Sequence, residues 1–370
     1  MDKKISQIEP WLGVEEQNAV FEYMKSGGWL TEFKKTREFE KMIADYVGSK
    51  YCSVVNNGTV SLSIALMALG IGKDNEVIVP DYTMIASANA IVLAGAKPVF
   101  VDISKENLCL DLELVKKAVT EKTKAIMLVT INGRYPDMEA FVNFCKERNI
   151  FLLEDAAQSL GSRYLPTDRY GNGKHLGTFG AIGSFSFSMP KVITTGQGGA
   201  LVTDDEELYK KILKIKDFGR EKAGVDYHET MGYNFKFTDL QSVIGIEQMK
   251  KLEWRVERKK EMTRLYENLL KDINGLSFIK TNTENTSPWF IDILVEPEKR
   301  EGLIRFLEEK GIGTRPFYPA IHTQPPYNWV EGSFDNSEYI SKRGLWLPSS
   351  SFLKDEDIEY ICNSIKEFFL

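Results

Sequence analysis

The apolar and polar residues between positions 51 and 205 follow two alternating periods. Short, near-continuous apolar runs predict strands, and segments whose apolar residues recur every three or four positions predict helices. The predicted strands are "YCSVV", "EVIVP", "KPVFVDI", "KAIMLVTI" and "IFLLED". The predicted helices are "TVSLSIALMALG", "MIASANAIVLAG", "DLELVKKAVT" and "DMEAFVNFCKERN". This alternation predicts an α/β domain with a large, mostly parallel sheet and helices on both of its faces.

The pattern changes after Asp239, where Thr238 and Gln241 suit a capping box at the start of a long helix. The segments that follow it are the helix "DLQSVIGIEQMKKLEWRVERKKEMTRLYENLL", the strand "WFIDILVE", the helix "EKREGLIRFLEEKG", the strand "GTRPFY" and the helix "DEDIEYICNSIKEFF". We therefore predict a large α/β domain over residues 1–249 and a smaller C-terminal α+β domain over residues 250–370, with the long helix as connector. The N-terminal segment is a candidate to pack on the small domain.

Composition excludes several classes of protein. The chain has 370 residues, of which 43% are hydrophobic and 27% charged, as in soluble globular proteins. A net charge of −6 argues against a nucleic-acid surface. No apolar run approaches the roughly 18 residues of a membrane span, and no signal-like segment opens the sequence, so we expect a cytoplasmic protein that binds no membrane. The cysteines lack CxxC spacing and the three histidines lack metal-ligand spacing, so no metal site is predicted.

Polar residues at the carboxyl ends of parallel strands are the first candidates for a site. Asp155 ends the strand "FLLED" and is followed by small residues. A partly desolvated carboxylate there needs a cationic partner, which favours a functional role. The alternative is that Asp155 is a helix N-cap, with Gln158 as its capping-box partner. The sequence leaves both interpretations open.

A lysine in an unusual setting is the second candidate. Lys191 follows "SFSFS", a strand that places its serines on one face and its phenylalanines on the other, and it precedes the turn "TTGQGG". Most lysines simply lie at the surface, but hydroxyls with a lysine just beyond them suit an anion and a carbonyl compound. The segment "NNGT" opens a predicted helix, whose first amides can bind phosphate. Walker and dinucleotide-binding glycine motifs are absent, which disfavours nucleoside triphosphates and NAD.

Together these residues match the needs of pyridoxal phosphate, which are an amine for its aldehyde, a carboxylate for its ring nitrogen and donors for its phosphate. The sequence also resembles the DegT/DnrJ/EryC1/StrS family of sugar-nucleotide aminotransferases, which have the fold type I aminotransferase architecture. The segments that carry the resemblance are "SGGWLTEFKKTREFEKMIADYVG", "NNGTVSL", "EVIVPDYTMIASANAI", "EDAAQSLGS", "FSFSMPKVITTGQGGALVTDD", "GYNFKFTDLQSVIG" and "GIGTRPFYPAIHTQPPY". Within the family, "ITTGQGG" and "RPFYPAIHTQPPY" most resemble the subfamily of GDP-perosamine synthases.

The resemblance implies roles for individual residues. The family's lysine, matched by Lys191, binds the cofactor covalently and moves the substrate proton, and its aspartate, matched by Asp155, keeps the ring nitrogen protonated. The other implied cofactor residues are Gly58, Thr59 and Val60 in the phosphate turn, Ser186 beside it, Gln158 near the ring oxygen, and Asn234 from the neighbouring subunit. The last of these implies a homodimer with shared active sites. The substrate candidates are His322, Arg315, Lys236 and Tyr318.

Several positions depart from the family pattern. Met84 stands where an aromatic ring usually stacks on the cofactor, although a thioether can pack against that ring, and nearby Tyr82 is an alternative. The family commonly reads "HLYG" where this chain has "TINGR", so Thr130 and Asn132 replace a histidine and a tyrosine. Lys236 stands where arginine is usual. We interpret these changes as an altered substrate and not as a lost reaction.

The implied reaction is the pyridoxal-phosphate-dependent transamination of a nucleotide-linked keto-6-deoxy sugar, with a 4-keto group and L-glutamate as amino donor. Its amino-sugar product would serve the synthesis of surface polysaccharides or other glycans. A 3-dehydratase of the same family is disfavoured, because those enzymes carry histidine where this chain has Lys191. A non-catalytic, cofactor-binding regulator gains no support, since no DNA-binding domain is predicted. The nucleotide base, the ring position and the stereochemistry of the sugar stay open.

Overall fold

A computed structural model of the protein describes residues 4–165, 173–222 and 224–370. The helices are α1 (Val14–Lys25), α2 (Lys34–Val47), α3 (Gly58–Ala68), α4 (Ala86–Leu93), α5 (Leu112–Ala118), α6 (Met138–Arg148), α7 (Glu206–Lys216), α8 (Asp239–Lys250), α9 (Leu252–Leu270), α10 (Pro297–Glu309), α11 (Asp335–Arg343) and α12 (Asp355–Phe369). The strands are β1 (Tyr51–Val55), β2 (Glu76–Pro80), β3 (Lys97–Val101), β4 (Thr123–Val129), β5 (Phe151–Asp155), β6 (Arg163–Tyr164), β7 (Lys174–His175), β8 (Ile182–Ser186), β9 (Gly199–Thr203), β10 (Leu276–Phe278), β11 (Ile291–Val295), β12 (Arg315–Pro316) and β13 (Gly344–Leu347).

The large sheet has seven strands in the order β1-β9-β8-β5-β4-β2-β3. The five neighbouring strands β8, β5, β4, β2 and β3 are parallel to one another. Strand β9 pairs antiparallel with both β8 and β1. Alternate residues of β2 enter different cores, because successive side chains of a strand point to opposite faces. Val77 and Val79 pack with α3 and α4, whereas Ile78 packs with α5 and α6. The predicted fold class, a mostly parallel sheet covered on both faces, is confirmed.

The smaller sheet is antiparallel, with the strand order β10-β11-β13-β12. Helix α9 and helix α12 pack together beside it. The N-terminal segment reaches this unit, since Ile5 pairs with Ile312 and the amide of Ser349 donates to the carbonyl of Gln7 at 2.8 Å. No helix among the described residues is long and apolar enough to cross a membrane.

The prediction of one continuous connector helix is wrong, because the helix breaks at Lys251 into α8 and α9. The sequence has neither glycine nor proline at the break, so packing must impose it. Helix α8 packs on α1 and α2, where a β-carbon on Gly245 would lie 2.6 Å from the Phe39 ring. The ammonium of Lys251 is bound by Glu15 and Glu16 at the start of α1. A domain boundary at residue 250, next to this break, remains our proposal.

A buried polar cluster joins the two sheets. The guanidinium of Arg134, just beyond β4, donates through Nη2 to both carboxylate oxygens of Asp292 on β11, at 2.6 and 2.8 Å. The side-chain amide of Asn132 donates to the same carboxylate at 2.9 Å and to the carbonyl of Phe290, also at 2.9 Å. All three polar side chains are buried. The cluster therefore fixes β11 against the carboxyl end of the large sheet.

We predict that Arg134→Met lowers the free energy of unfolding by about 3–5 kcal/mol, because it leaves the buried Asp292 carboxylate without its cation. Lys41→Met is the matched control, since the ion pair of Lys41 with Asp45 is exposed and should contribute only about 0–1 kcal/mol. Denaturant-induced unfolding of both variants measures the difference. Equal effects of the two substitutions would contradict the importance of the buried pair.

Candidate active site

Asp155 lies at the carboxyl end of β5, in the middle of the large sheet, and is 6% exposed. Its Oδ2 accepts a 2.6 Å hydrogen bond from the Ser87 hydroxyl at the start of α4, and its Oδ1 accepts a 3.2 Å bond from the amide of Ala157. Burial raises the pKa of Asp155, while these two donors and the positive charge of Lys191 act to lower it. Residues 156–161 form turns and irregular structure, so the N-cap interpretation of Asp155 is wrong.

The Gln158 side chain is held by a hydrogen bond from the backbone amide of Asn132, and it does not cap a helix. Its Oε1 accepts a 2.8 Å hydrogen bond from the amide of Asn132, which adopts a positive φ of 53°. A left-handed conformation is tolerated by asparagine better than by most residues. Asn132, which stands where the family commonly has a tyrosine, therefore links two parts of the chain. Its backbone amide holds Gln158 in the turn after Asp155, and its side chain bonds to β11 of the small sheet.

Lys191 lies in a loop that returns from β8 to β9. Its backbone amide donates to the carbonyl of Ser188 at 3.0 Å, and its Nζ lies 3.9 Å from the centroid of the Trp289 ring. Burial lowers the pKa of Lys191 to about 8, the nearby Asp155 charge opposes this change, and the charge of Arg315 adds to it. Among the residues that the structure describes, no carboxylate forms an ion pair with Lys191. An amine with this pKa is partly neutral near neutral pH, as a nucleophile must be.

The predicted phosphate turn is the N-terminus of α3, which is capped by Asn57. The Asn57 side chain accepts the amide of Val60 at 2.9 Å, so that amide already has a partner. The amides of Gly58 and Thr59 belong to the first turn of the helix, which has no acceptors within the helix. A β-carbon on Gly58 would lie 2.9 Å from Cβ and 3.1 Å from Oγ of Ser186. The glycine at residue 58 therefore allows the Ser186 side chain to lie directly against the start of α3.

Met84 and Tyr82 occupy different environments near the start of α4. Met84 is 44% exposed and its sulfur accepts the amide of Ala86 at 3.1 Å. Tyr82 is buried and packs against the rings of Phe317 and Tyr318. Tyr82 is therefore a core residue. Of these two candidates, Met84 is the one whose side chain is exposed.

Asn234 and Lys236 lie on a segment beside the end of β1. Residue 236 bridges to Val55, and Asn234 bridges to Asp217 and is exposed in the single chain. The ammonium of Lys236 pairs with Asp217 at 2.6 Å and lies over the Phe218 ring at 4.4 Å. Lys236 is thus engaged within its own chain, whereas Asn234 is exposed.

The structure places the C-terminal candidates in two groups. Arg315 is exposed, and its guanidinium carbon lies 5.5 Å from the Trp346 ring and 5.7 Å from the Tyr318 ring. Burial raises the pKa of Tyr318, and the charges of Arg315 and Asp155 act on the same hydroxyl, so this pair faces the Lys191 site.

His322 makes different contacts. Its Nδ1 lies 2.7 Å from Oδ2 of Asp81, and its backbone amide donates to Oδ1 of Asp81 at 2.9 Å. The imidazole stacks on Phe334, with the centroids 4.7 Å apart, and its Nε2 lies 3.6 Å from Glu338. The contacts of His322 tie the C-terminal segment to the end of β2 and do not include Lys191 or Asp155.

Sequence reasoning missed two residues of this site. Ser87 orients Asp155, but a serine in the first turn of an apolar helix has no distinguishing pattern. Trp289, two residues before β11, contacts Lys191, and nothing in the sequence connects two residues so far apart. Only the folded chain brings them together.

The chain is similar to known aminotransferases along nearly its whole length. The family model for the DegT/DnrJ/EryC1/StrS aminotransferase family matches residues 10–366. A GDP-perosamine synthase from Escherichia coli O157:H7 is 38% identical over 370 residues, which cover 99% of each chain. The aminotransferase TlmJ from Streptoalloteichus hindustanus has a similar structure, with a TM-score of 0.91, 28% identity and 98% of each chain covered. A putative sugar aminotransferase from Streptococcus pneumoniae, in its PMP form, gives a TM-score of 0.90 at 27% identity, with 99% of this chain and 98% of that chain covered. Because the family model matches nearly the whole chain and a relative is 38% identical over its full length, the chain belongs to the DegT/DnrJ/EryC1/StrS aminotransferase family.

Proposed function

We propose that the enzyme transfers the amino group of L-glutamate to a nucleotide-linked 4-keto-6-deoxy sugar, using pyridoxal phosphate, to make an amino sugar for surface polysaccharides or other glycans. The observation that carries the proposal is the Lys191 amine, which lines one small cavity with Ser186 and lies close enough to the buried Asp155 for the two charges to interact. The full-length likeness to a GDP-perosamine synthase supports a sugar-nucleotide substrate. The four cysteines are free and buried, which is compatible with a reducing cytoplasm.

The donor set fits pyridoxal phosphate. Lys191 offers a primary amine to the aldehyde, and Asp155 offers a buried carboxylate to the ring nitrogen. The amides of Gly58 and Thr59 and the hydroxyl of Ser186 offer donors to the phosphate, and glycine at residue 58 leaves Ser186 room beside them, where a side chain would collide with it. When bound, the cofactor supplies an electron-withdrawing ring that stabilises negative charge on the substrate carbon.

The side chains divide the remaining work. Burial raises the pKa of Asp155, and a protonated ring nitrogen would oppose this change by supplying an opposite charge. Ser87 and Ala157 fix the orientation of its two oxygens. Lys191 can both take and return a proton at Nζ, because a pKa of about 8 keeps both protonation states populated. Arg315 presents an exposed guanidinium on the same side, suited to a carboxylate or diphosphate of a substrate.

The proposed homodimer shares its active sites through Asn234. The support is that Asn234 is exposed in the single chain and lies among exposed apolar residues. Met231 is 80% exposed, and Trp29, on the wall of the same groove as Thr230, is 66% exposed. Surface of this kind is typical of a protein–protein interface.

The direct test is to assay UDP-, dTDP- and GDP-linked 4-keto-6-deoxy sugars with L-glutamate. We expect a yellow protein that bleaches with glutamate and aminates at least one of these sugars. Lys191→Ala should abolish both the visible band of the lysine-bound cofactor and turnover while the fold is retained, whereas Lys210→Ala, at the exposed surface of α7, should behave like the wild type. An alanine variant at residue 191 that still transaminates at a comparable rate refutes the assignment. A product that has lost a hydroxyl and gained no nitrogen indicates a dehydratase instead.

We predict that Asp155→Asn lowers kcat by more than about tenfold, or roughly 1.4 kcal/mol of transition-state stabilisation. The uncharged amide cannot keep the ring nitrogen protonated, so negative charge on the substrate carbon is less stabilised. Ser87→Ala removes only one hydrogen bond to the carboxylate and should cause a smaller loss. The measurement is steady-state kcat on the keto-sugar, and a loss below tenfold in the Asp155 variant counts against the role.

A subunit-mixing experiment tests the shared site. Asn234→Asp places a carboxylate against the phosphate of the partner's site, and Lys191→Ala removes the cofactor-binding amine, so each variant alone should be inactive. In a mixed dimer both lesions fall in one site and the other site is intact, so activity should return. If the mixture stays inactive after subunit exchange has been verified, Asn234 serves its own chain or no site at all.

A further inference from the structure

Trp289 links the loop that carries Lys191 to the smaller sheet. It lies two residues before β11 and is 2% exposed. Its indole N–H donates a 2.6 Å hydrogen bond to the carbonyl of Pro190, whose peptide group leads directly into Lys191. The position of the lysine backbone is therefore coupled to a residue from a different part of the fold.

The face of the same indole contacts the lysine amine. Nζ of Lys191 lies 3.9 Å from the ring centroid, well within the roughly 6 Å of a cation–π contact. A cavity of about 10 Å³, lined by Gln158, Ser186, Lys191 and Trp289 among others, lies beside it. One water needs roughly 10–15 Å³, so this space cannot hold a hydration shell for an ammonium. On this side of the amine, the π-face of the indole is its neighbour.

Trp289 is held in position by contacts that do not involve Lys191. Its carbonyl accepts a 3.0 Å hydrogen bond from the ammonium of Lys259, which also donates to the carbonyl of Ser349. Its ring stacks on Phe290, with the centroids 3.8 Å apart and the planes 21° apart. The amide of Phe290 donates to Oδ1 of Asn132 at 2.7 Å. The ring is thus a fixed surface on which the lysine can rest.

An indole ring is better suited than a carboxylate to hold the Lys191 amine. An ion pair with Asp155 would hold the lysine in its charged form and would occupy the carboxylate that the cofactor's ring nitrogen needs. A cation–π contact is weaker than a buried ion pair and so still allows the amine to lose its proton.

We propose that Trp289 is a positioning residue of the transamination, which holds the amine of Lys191 on its ring face whenever the lysine is not bound to the cofactor and fixes the Pro190–Lys191 peptide group through its indole N–H. The inference rests on the proposed role of Lys191 as the cofactor-binding lysine. Trp289 is not among the residues that the sequence predicted for the site.

The test compares Trp289→Leu, Trp289→Phe and the control Tyr266→Phe. Apoenzyme is mixed with pyridoxal phosphate, and the rate at which the visible band of the lysine-bound cofactor appears is measured as a function of pH. Because the ring stabilises the charged amine, its loss should lower the amine pKa and move the midpoint of this profile to lower pH. We expect a shift of about half to one pH unit in the leucine variant and a smaller shift in the phenylalanine variant, which retains a ring face. The maximal rate should fall in both variants, because both lose the hydrogen bond to Pro190.

Tyr266→Phe is a matched control because the buried Tyr266 hydroxyl also donates to a proline carbonyl, that of Pro348 at 3.1 Å, within the core of the smaller unit. It should reproduce the wild-type profile. A wild-type midpoint and rate in folded Trp289→Leu, or an equal change in Tyr266→Phe, overturns the proposal. Should the leucine variant fail to fold by circular dichroism, Trp289→Phe decides alone, and an unchanged profile in it overturns the proposal.

The assay contains no sugar, so the inference can fail without the proposed substrate failing. Lys191→Ala separates the remaining cases. A band that persists in Lys191→Ala shows that the lysine assignment itself is wrong. A band that is lost in Lys191→Ala, together with unchanged profiles in the Trp289 variants, overturns the role of Trp289 alone.

Discussion

The contact between the Arg134 guanidinium and the Asp292 carboxylate, with Asn132 beside it, determines how the two sheets of this protein meet. A buried ion pair of this kind adds little net stability compared with an apolar pair, because both charges lose their hydration. It does penalise any arrangement of the sheets that separates the partners, since each would then be a buried, unpaired charge. The cluster is therefore best understood as a device that selects one orientation of β11 against the end of β4.

The active-site geometry follows from that orientation. The segment that leads into β11 places Trp289 against Lys191. Asn132 belongs to the buried cluster and also holds Gln158, because its backbone amide donates a hydrogen bond to the Gln158 side chain. Trp289 and Gln158, which line the same small cavity as Lys191, are thus both held by the contact between the two sheets. Catalytic groups need placement to within a fraction of an ångström, which favours a site supported by rigid elements of both units.

Lys191 and Asp155 are oppositely charged groups that the protein keeps near each other without pairing them. Burial destabilises both charges, lowering the pKa of Lys191 and raising that of Asp155. In the proposed function, a cofactor with an aldehyde and a basic ring nitrogen would satisfy both groups. Perturbed ionisable groups of this kind are typical of functional sites.

The sequence by itself determined the strands and helices between residues 51 and 155, because their apolar periods are local and consistent. It also indicated Asp155, Lys191 and the start of α3, because each lies in a contiguous segment whose residue types suit one chemical task. Only the tertiary structure decided the break at Lys251, where packing of α8 on α2 overrides a continuous helical pattern. It alone placed Ser87 against Asp155 and Trp289 against Lys191, since contacts between residues distant in the chain depend on how whole elements pack and leave no local pattern to recognise.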